Sequence, residues 1–305
     1  CVEGRKQLLQ FAEENKIDFE VCGKIVVAIN NKETERLIQL KKNGEKNGLI
    51  GLKLLNPEEF KKIEPNAEGV QALWVPESGI IDYKEVANKL AKKVKSINNS
   101  SEVITNCEVK NYNNSEIKTS KGTFKANHII FCGGLFADRL AVKDKVKLNM
   151  QIVGFRGDYY ELTEQAKNKV NNLIYPVPNP EFPFLGVHVT RMIGGKIECG
   201  PNAVFTFKRE GYSKTDFNLK DTLQTLSFLG TWRLFINHWK FGLNEYKRAF
   251  SKSLFLKELQ KMMPLLKMDD IVVGRSGVRA MALGNNGEVM DDFKIIKNKK
   301  NIHVL

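Results

Sequence analysis

The sequence predicts an α/β protein in which a βα region is interleaved with a β-rich antiparallel region. Three observations carry this. Residues 126–139 (ANHIIFCGGLFADR) hold a short apolar run, His128 to Phe131, that meets Gly133 and Gly134 and then a helix-like segment. An unbroken apolar run suits a strand buried on both faces, and two glycines behind it let backbone approach a ligand closely. Amphipathic helices and β-branched strands alternate over residues 1–145. From 149 to 204 the texture changes to strands and turns punctuated by Pro176, Pro178, Pro180, Pro183 and Pro201. Helical and extended segments then return, so one region interrupts the other rather than following it on a linker.

The elements follow in order. Leu8, Leu9, Phe11 and Ala12 at helical spacing give a first helix of about fifteen residues. Residues 21–29 (VCGKIVVAI) read as a strand, 32–46 as a helix and 48–55 as extended. Asn56-Pro57-Glu58-Glu59 starts a helix, with Asn as cap and carboxylates at the positive end. Residues 69–75 form a strand, and Asp82 caps a helix from 83 to about 95. A meander over 103–109, 115–119 and 123–126 leads into the strand at His128. Two strands, 186–191 and 195–198, flank Gly194-Gly195. Helices are expected over 219–229, 232–240, 243–249 and 251–263, ending at Pro264. Residues 271–281 are extended, Asn285-Asn286-Gly287 turns, and 293–296 and 301–305 are strands.

With 305 residues the chain has room for two domains. Its net charge of +13 comes from scattered lysines, which solvate a surface or attract anionic membranes and substrates. No nucleic-acid signature accompanies that charge, so nucleic acid is discounted as a partner. The five cysteines (Cys1, Cys22, Cys107, Cys132, Cys199) form no CxxC pair, which argues for a reducing compartment and against a zinc site. No apolar stretch is long enough to span a bilayer.

Several stretches together resemble the D-amino-acid oxidase superfamily of FAD-dependent oxidoreductases, in the branch that oxidises L-2-hydroxyglutarate. They are CVEG (1–4), VPESGIIDY (75–83), FRGDYY (155–160), IYPVP (174–178), FLGVHVTRM (184–192), ECGPNA (198–203), KREGY (208–212) and GRSGVRA (274–280). The superfamily's GxGxxG unit is not among the 305 residues, so the reading is of a fragment cut at both ends. The resemblance implies a Rossmann-like FAD-binding region (1–19, 76–145, 275–305) interleaved with an antiparallel substrate-binding region (20–75, 146–274). It further implies FAD as cofactor, a small dicarboxylate as substrate, and oxygen or a membrane quinone as electron acceptor. The corresponding location is the cytoplasm, peripheral to the membrane surface. Alternatives are another flavin oxidase, acting on an amino acid or glycerol 3-phosphate, and a non-catalytic substrate-binding fragment.

The implied chemistry needs a base with a pKa near neutrality, which favours histidine. His128 and His303 sit in apolar strands and His238 among aromatic residues, so all three read as packing. His188 lies on a strand where alternation places it with Thr190, away from Val187 and Val189. It is the candidate catalytic residue, with a structural role as the alternative. A dicarboxylate also needs guanidinium forks. Arg279 matches the superfamily's arginine between substrate carboxylate and flavin. Arg156, with Tyr160 on its face of the strand, is the candidate for the second carboxylate. Arg191 and Asn202 are further substrate candidates. Gly133 and Gly134 are the expected flavin contacts, with Val109 towards the adenine end, while Asp138 is read as capping or bridging. Trp74, Trp232 and Trp239 are read as core.

Overall fold

The computed structural model describes residues 2–113, 115–180, 184–290 and 292–305. Cys1 and Pro183, both singled out in the sequence, lie outside the described residues. The fold is mixed α/β as expected. Its contacts divide it into two units, one of residues 1–102, 158–202 and 247–275, the other of 103–157, 203–246 and 276–305. Two of the cuts, at 157/158 and 275/276, fall inside the long strands Met150–Leu162 and Ile271–Gly284, the latter within one residue of the expected boundary.

In the first unit, Tyr160 and Glu161 of Met150–Leu162 pair with Ile197–Gly200, followed across the sheet by His188–Arg191, Leu173–Pro176, Lys24–Ala28, Gln71–Val75 and Lys53–Leu55. All these pairings are antiparallel except that of Leu173–Pro176 with Lys24–Ala28. Ile25 to Ala28 of this strand are apolar without a break because both of its faces are covered. Ile25 and Val27 join Ile174, Val189, Phe255 and Leu259 on one side, and Val26 and Ala28 meet Leu37, Leu52 and Leu73 on the other.

Two expected helix caps hold here, and a third was not anticipated. That third is Asn30, which caps Asn31–Lys46 by accepting from the Glu33 amide at 3.0 Å. Asn56 and Glu59 form a capping box on Pro57–Phe60, and the Asp82 carboxylate caps Tyr83–Ile97. The first helix, Val2–Asn15, buries Ala12 beside Val86.

In the second unit, Ile129–Phe131 runs parallel to Asn301–Val304, which pairs antiparallel with Ile295–Asn298. Ile129 and Phe131 are buried but Ile130 is exposed, correcting the expectation of a strand buried on both faces. The strand is an edge of this three-stranded sheet, and only its Ile129/Phe131 side packs. His128 is likewise exposed, not core, with Nδ1 3.3 Å from the Lys300 carbonyl. His303 is buried as expected, with the Asp144 carboxylate 2.8 Å from Nε2. The meander consists of Val109–Tyr112, Glu116–Thr119 and Gly122–Lys125, so its first strand starts later than expected.

The expected helix 219–229 is observed as Leu219–Leu226. The two expected next are observed as two helical stretches within Leu229–Phe250, broken at His238, where φ and ψ are −126° and 23°. Trp232 and Trp239 in this segment are exposed, against the core reading, whereas Trp74 packs on the first unit's core.

Candidate functional site

In the first unit the site is built on a hairpin. His188–Arg191 and Ile197–Gly200 pair antiparallel, and the turn uses Gly194 and Gly195 at φ 86° and 82°, a region other residues enter only with strain. Strand alternation buries Val187 and Val189 in the core and leaves His188 and Thr190 half-buried on the other face. Nδ1 of His188 lies 2.9 Å from the Gly186 carbonyl. A carbonyl only accepts, so the neutral ring carries its proton on Nδ1 and its lone pair on Nε2.

The His188 ring stacks on Tyr175 with centroids 4.1 Å apart and planes 24° from parallel. Lys24 Nζ lies 4.8 Å from the centroid of the same tyrosine. Burial lowers the Lys24 pKa, since a cation loses hydration there. Lys24 and Tyr175 line a pocket of about 650 Å³ with Arg5, Glu77, Ile81 and Leu173.

The other candidates in this unit have protein partners. Arg191 forms an ion pair with Glu20. Asn202 is buried and spends its amide on Asp158, accepting from the backbone N–H at 2.7 Å and donating to the carboxylate at 3.1 Å. Tyr160 is buried against Phe255, ring centroids 4.6 Å apart, and burial pushes its phenol pKa up.

In the second unit, Gly133 and Gly134 make the turn between Ile129–Phe131 and helix Ala137–Lys143. A Cβ on Gly133 would lie 2.6 Å from Leu140 Cδ1, so this glycine permits close packing of the helix. Gly134 has φ 51°, and a Cβ there would meet open space. Gly134 lines a groove of about 390 Å³ with Ala137, Ile152, Ala280, Ala282 and Leu305. Small and apolar side chains of this kind fit one face of a flat aromatic group such as a flavin ring.

Arg279 is exposed and, among the described residues, forms no ion pair or hydrogen bond. Arg156 is buried and donates from Nη1 to the Ser213 carbonyl at 2.7 Å. Tyr246 donates to the Phe205 carbonyl at 2.8 Å, and burial pushes its phenol to about 12 against the pull of Arg156. Val109 is exposed beside a register shift in the meander. Asp138 bridges, accepting from Arg209 at 2.8 Å and from the Ile152 amide at 3.0 Å.

Sequence reasoning missed Tyr175 and Lys24. Tyr175 lies inside the quoted IYPVP string, but nothing in the string shows that its ring lies against an imidazole. Arg209 was also missed as the partner of Asp138, which is distant in sequence.

The profile of the family DAO, FAD dependent oxidoreductase, matches residues 1–305. The chain is 42% identical to the L-2-hydroxyglutarate dehydrogenase of Indibacter alkaliphilus over 309 residues, covering 100% of this chain and 77% of the relative. It is 40% identical to the enzyme of that name from Escherichia coli K12 over 308 residues, covering 99% and 72%. Among solved structures, the dithionite-reduced L-α-glycerophosphate oxidase of Mycoplasma pneumoniae with FAD bound superposes with a TM-score of 0.69 at 23% identity, covering 92% of this chain and 66% of that one. That likeness speaks for the fold alone. With a profile match over its whole length and relatives at this identity, the chain belongs to the DAO family of FAD-dependent oxidoreductases.

Proposed function

We propose that this protein oxidises L-2-hydroxyglutarate to 2-oxoglutarate as an FAD-dependent dehydrogenase. The observation that carries the reading is the 42% identity, over the whole chain, to a relative named for that reaction. Gly134 and the apolar groove beside it would hold one face of the flavin ring. Bound FAD supplies the acceptor for the hydride that leaves the substrate α-carbon. In this reading the exposed Arg279 guanidinium binds a substrate carboxylate through paired N–H groups. Nε2 of His188 takes the hydroxyl proton, which its Nδ1–H tautomer suits. Arg156, Tyr160, Arg191 and Asn202 are the further substrate-binding candidates, each also with a protein partner of its own.

The reading extends to oxygen or a membrane quinone as electron acceptor and to a cytoplasmic enzyme working at a membrane surface. The net charge of +13 supports the latter. Among the described residues no helix is long and apolar enough to cross a membrane.

The test is the absorbance spectrum of the purified protein under anaerobic conditions. An oxidised flavin spectrum that bleaches with L-2-hydroxyglutarate, and not with glycerol 3-phosphate or amino acids, is the expected result. Bleaching by one of the others instead would replace the substrate assignment. Reoxidation by oxygen or by a soluble quinone then identifies the acceptor.

A further inference from the structure

Among the described residues, Lys24 in the first unit is a cation without a counter-ion, forming no ion pair and no hydrogen bond. Its side chain is half-buried, and burial lowers its pKa. A partly dehydrated ammonium that no carboxylate meets is costly to keep, and an anionic ligand supplies what the fold does not. The pocket of about 650 Å³ that Lys24 lines is otherwise balanced. Its other charged residues are Arg5, Glu20 and Glu77. Arg5 pairs with Glu77, and Glu20 with Arg191, so Lys24 is the charge of the lining left unmet by the described residues. Leu8, Ile81 and Leu173 give the pocket apolar walls, against which an ion pair is stronger than in open water.

Strand register sets this cation near the candidate base. The strand Leu173–Pro176 lies between Lys24–Ala28 and His188–Arg191, with Leu173 opposite Lys24 on one side and opposite Thr190 on the other. Ile25, Ile174 and Val189 enter the core, so alternation turns Lys24, Tyr175 and His188 to the opposite face. The Tyr175 ring centre is 4.8 Å from Lys24 Nζ and 4.1 Å from the imidazole centre. Ammonium and imidazole can be no further apart than these two distances laid end to end. A five-carbon hydroxy diacid spans roughly 5 Å from its C2 hydroxyl to its far carboxylate, and a hydrogen bond at each end adds roughly 3 Å. Such a molecule reaches both groups across the tyrosine ring. The carboxylate bonded to C2 stays too close to the hydroxyl to do so.

We propose that Lys24 determines specificity by binding the substrate carboxylate remote from the reacting carbon, while His188 faces the hydroxyl. The inference rests on the substrate and base proposed above and names the group that separates a hydroxy diacid from a hydroxy monoacid.

The flavin-loaded protein is assayed with L-2-hydroxyglutarate and with L-2-hydroxypentanoate, which keeps the chain length and lacks the second carboxylate. Lys24→Met retains the bulk of the side chain and removes its charge. The ratio of kcat/KM for the diacid to that for the monoacid should fall about tenfold to a hundredfold, mostly through KM. Lys24→Arg should recover part of the ratio. The methionine variant should melt at or above the parent's temperature, since a dehydrated charge has gone. An unchanged ratio would overturn the proposal, as would a lower melting temperature with both substrates losing activity alike. A second arm needs no turnover and titrates glutarate, which carries two carboxylates and no hydroxyl, into each protein by calorimetry. The parent should bind it, and Lys24→Met about tenfold more weakly. A parent that oxidises some other substrate removes the substrate reading alone. No glutarate binding by the parent, or equal binding by the variant, removes Lys24 from the carboxylate.

Discussion

His188 and Tyr175 lie ring on ring, 4.1 Å between centroids, while the other end of the imidazole is fixed by the Gly186 carbonyl. The stack holds the plane of the ring and the carbonyl selects its tautomer. If His188 is the base, His188→Gln should lower kcat by about 10²- to 10⁴-fold with little change in flavin content. Tyr175→Leu should give a smaller loss and displace the acid limb of the kcat/KM profile, which a merely structural tyrosine would leave in place.

Arg279 has no protein partner among the described residues, so its replacement should cost little stability. Arg279→Lys retains charge but loses the paired donors, and should raise KM for L-2-hydroxyglutarate by about tenfold to a hundredfold. Steady-state kinetics beside thermal melting checks this. A melting temperature that falls with unchanged KM would make the residue structural.

The Arg209–Asp138 pair is almost wholly buried, with 2% and 4% of its side-chain surface exposed. Asp138→Ala leaves the guanidinium without its counter-charge and frees the Ile152 amide. Urea denaturation should show a loss of about 3–5 kcal/mol. Asp138→Asn should lie between, because it restores hydrogen bonds but no charge.

Burial alone would raise the carboxyls of Asp144, Asp221 and Asp270, but hydrogen-bonded partners reverse the sign and hold all three below the ordinary value of 3.8. Those partners include His303 for Asp144, Arg139 for Asp221 and Lys169 for Asp270. A carboxyl depressed in the folded state contributes stability that is complete above its unfolded pKa and disappears as pH falls through the folded one. The melting temperature should therefore drop steeply below about pH 4, each unit of depression being worth about 1.4 kcal/mol. Asp270→Asn should lower the melting temperature at pH 6 and narrow the gap from the parent towards pH 3.

Where local chemistry decides structure, it could be read in advance. The caps at Asn56 and Asp82, and the glycine turn at 194–195, are fixed by groups within a few residues. The parallel pairing of Lys24–Ala28 with Leu173–Pro176 was not legible, since its strands are remote in sequence and either could have found another neighbour. Exposure was misjudged at Ile130, His128, Trp232 and Trp239 because an apolar residue states a preference and not what covers it. His188 stood out because only four histidines were available and its strand neighbours are valines. Its hold on Gly186 and Tyr175 depends on coordinates.

Both units are assembled from separated stretches of chain, which bears on synthesis. Lys24–Ala28 leaves the ribosome long before Leu173–Pro176, and the core side chains Phe255 and Leu259 emerge later still. The first unit stays open until residue 275. A nascent chain thus carries an unpaired edge at Lys24–Ala28 through much of its translation, a period in which cross-pairing with another chain competes with folding. Slower elongation, which ordinarily helps chains whose domains finish one at a time, would here prolong the interval of risk. Chaperone dependence during expression, more than thermal stability afterwards, should govern the yield.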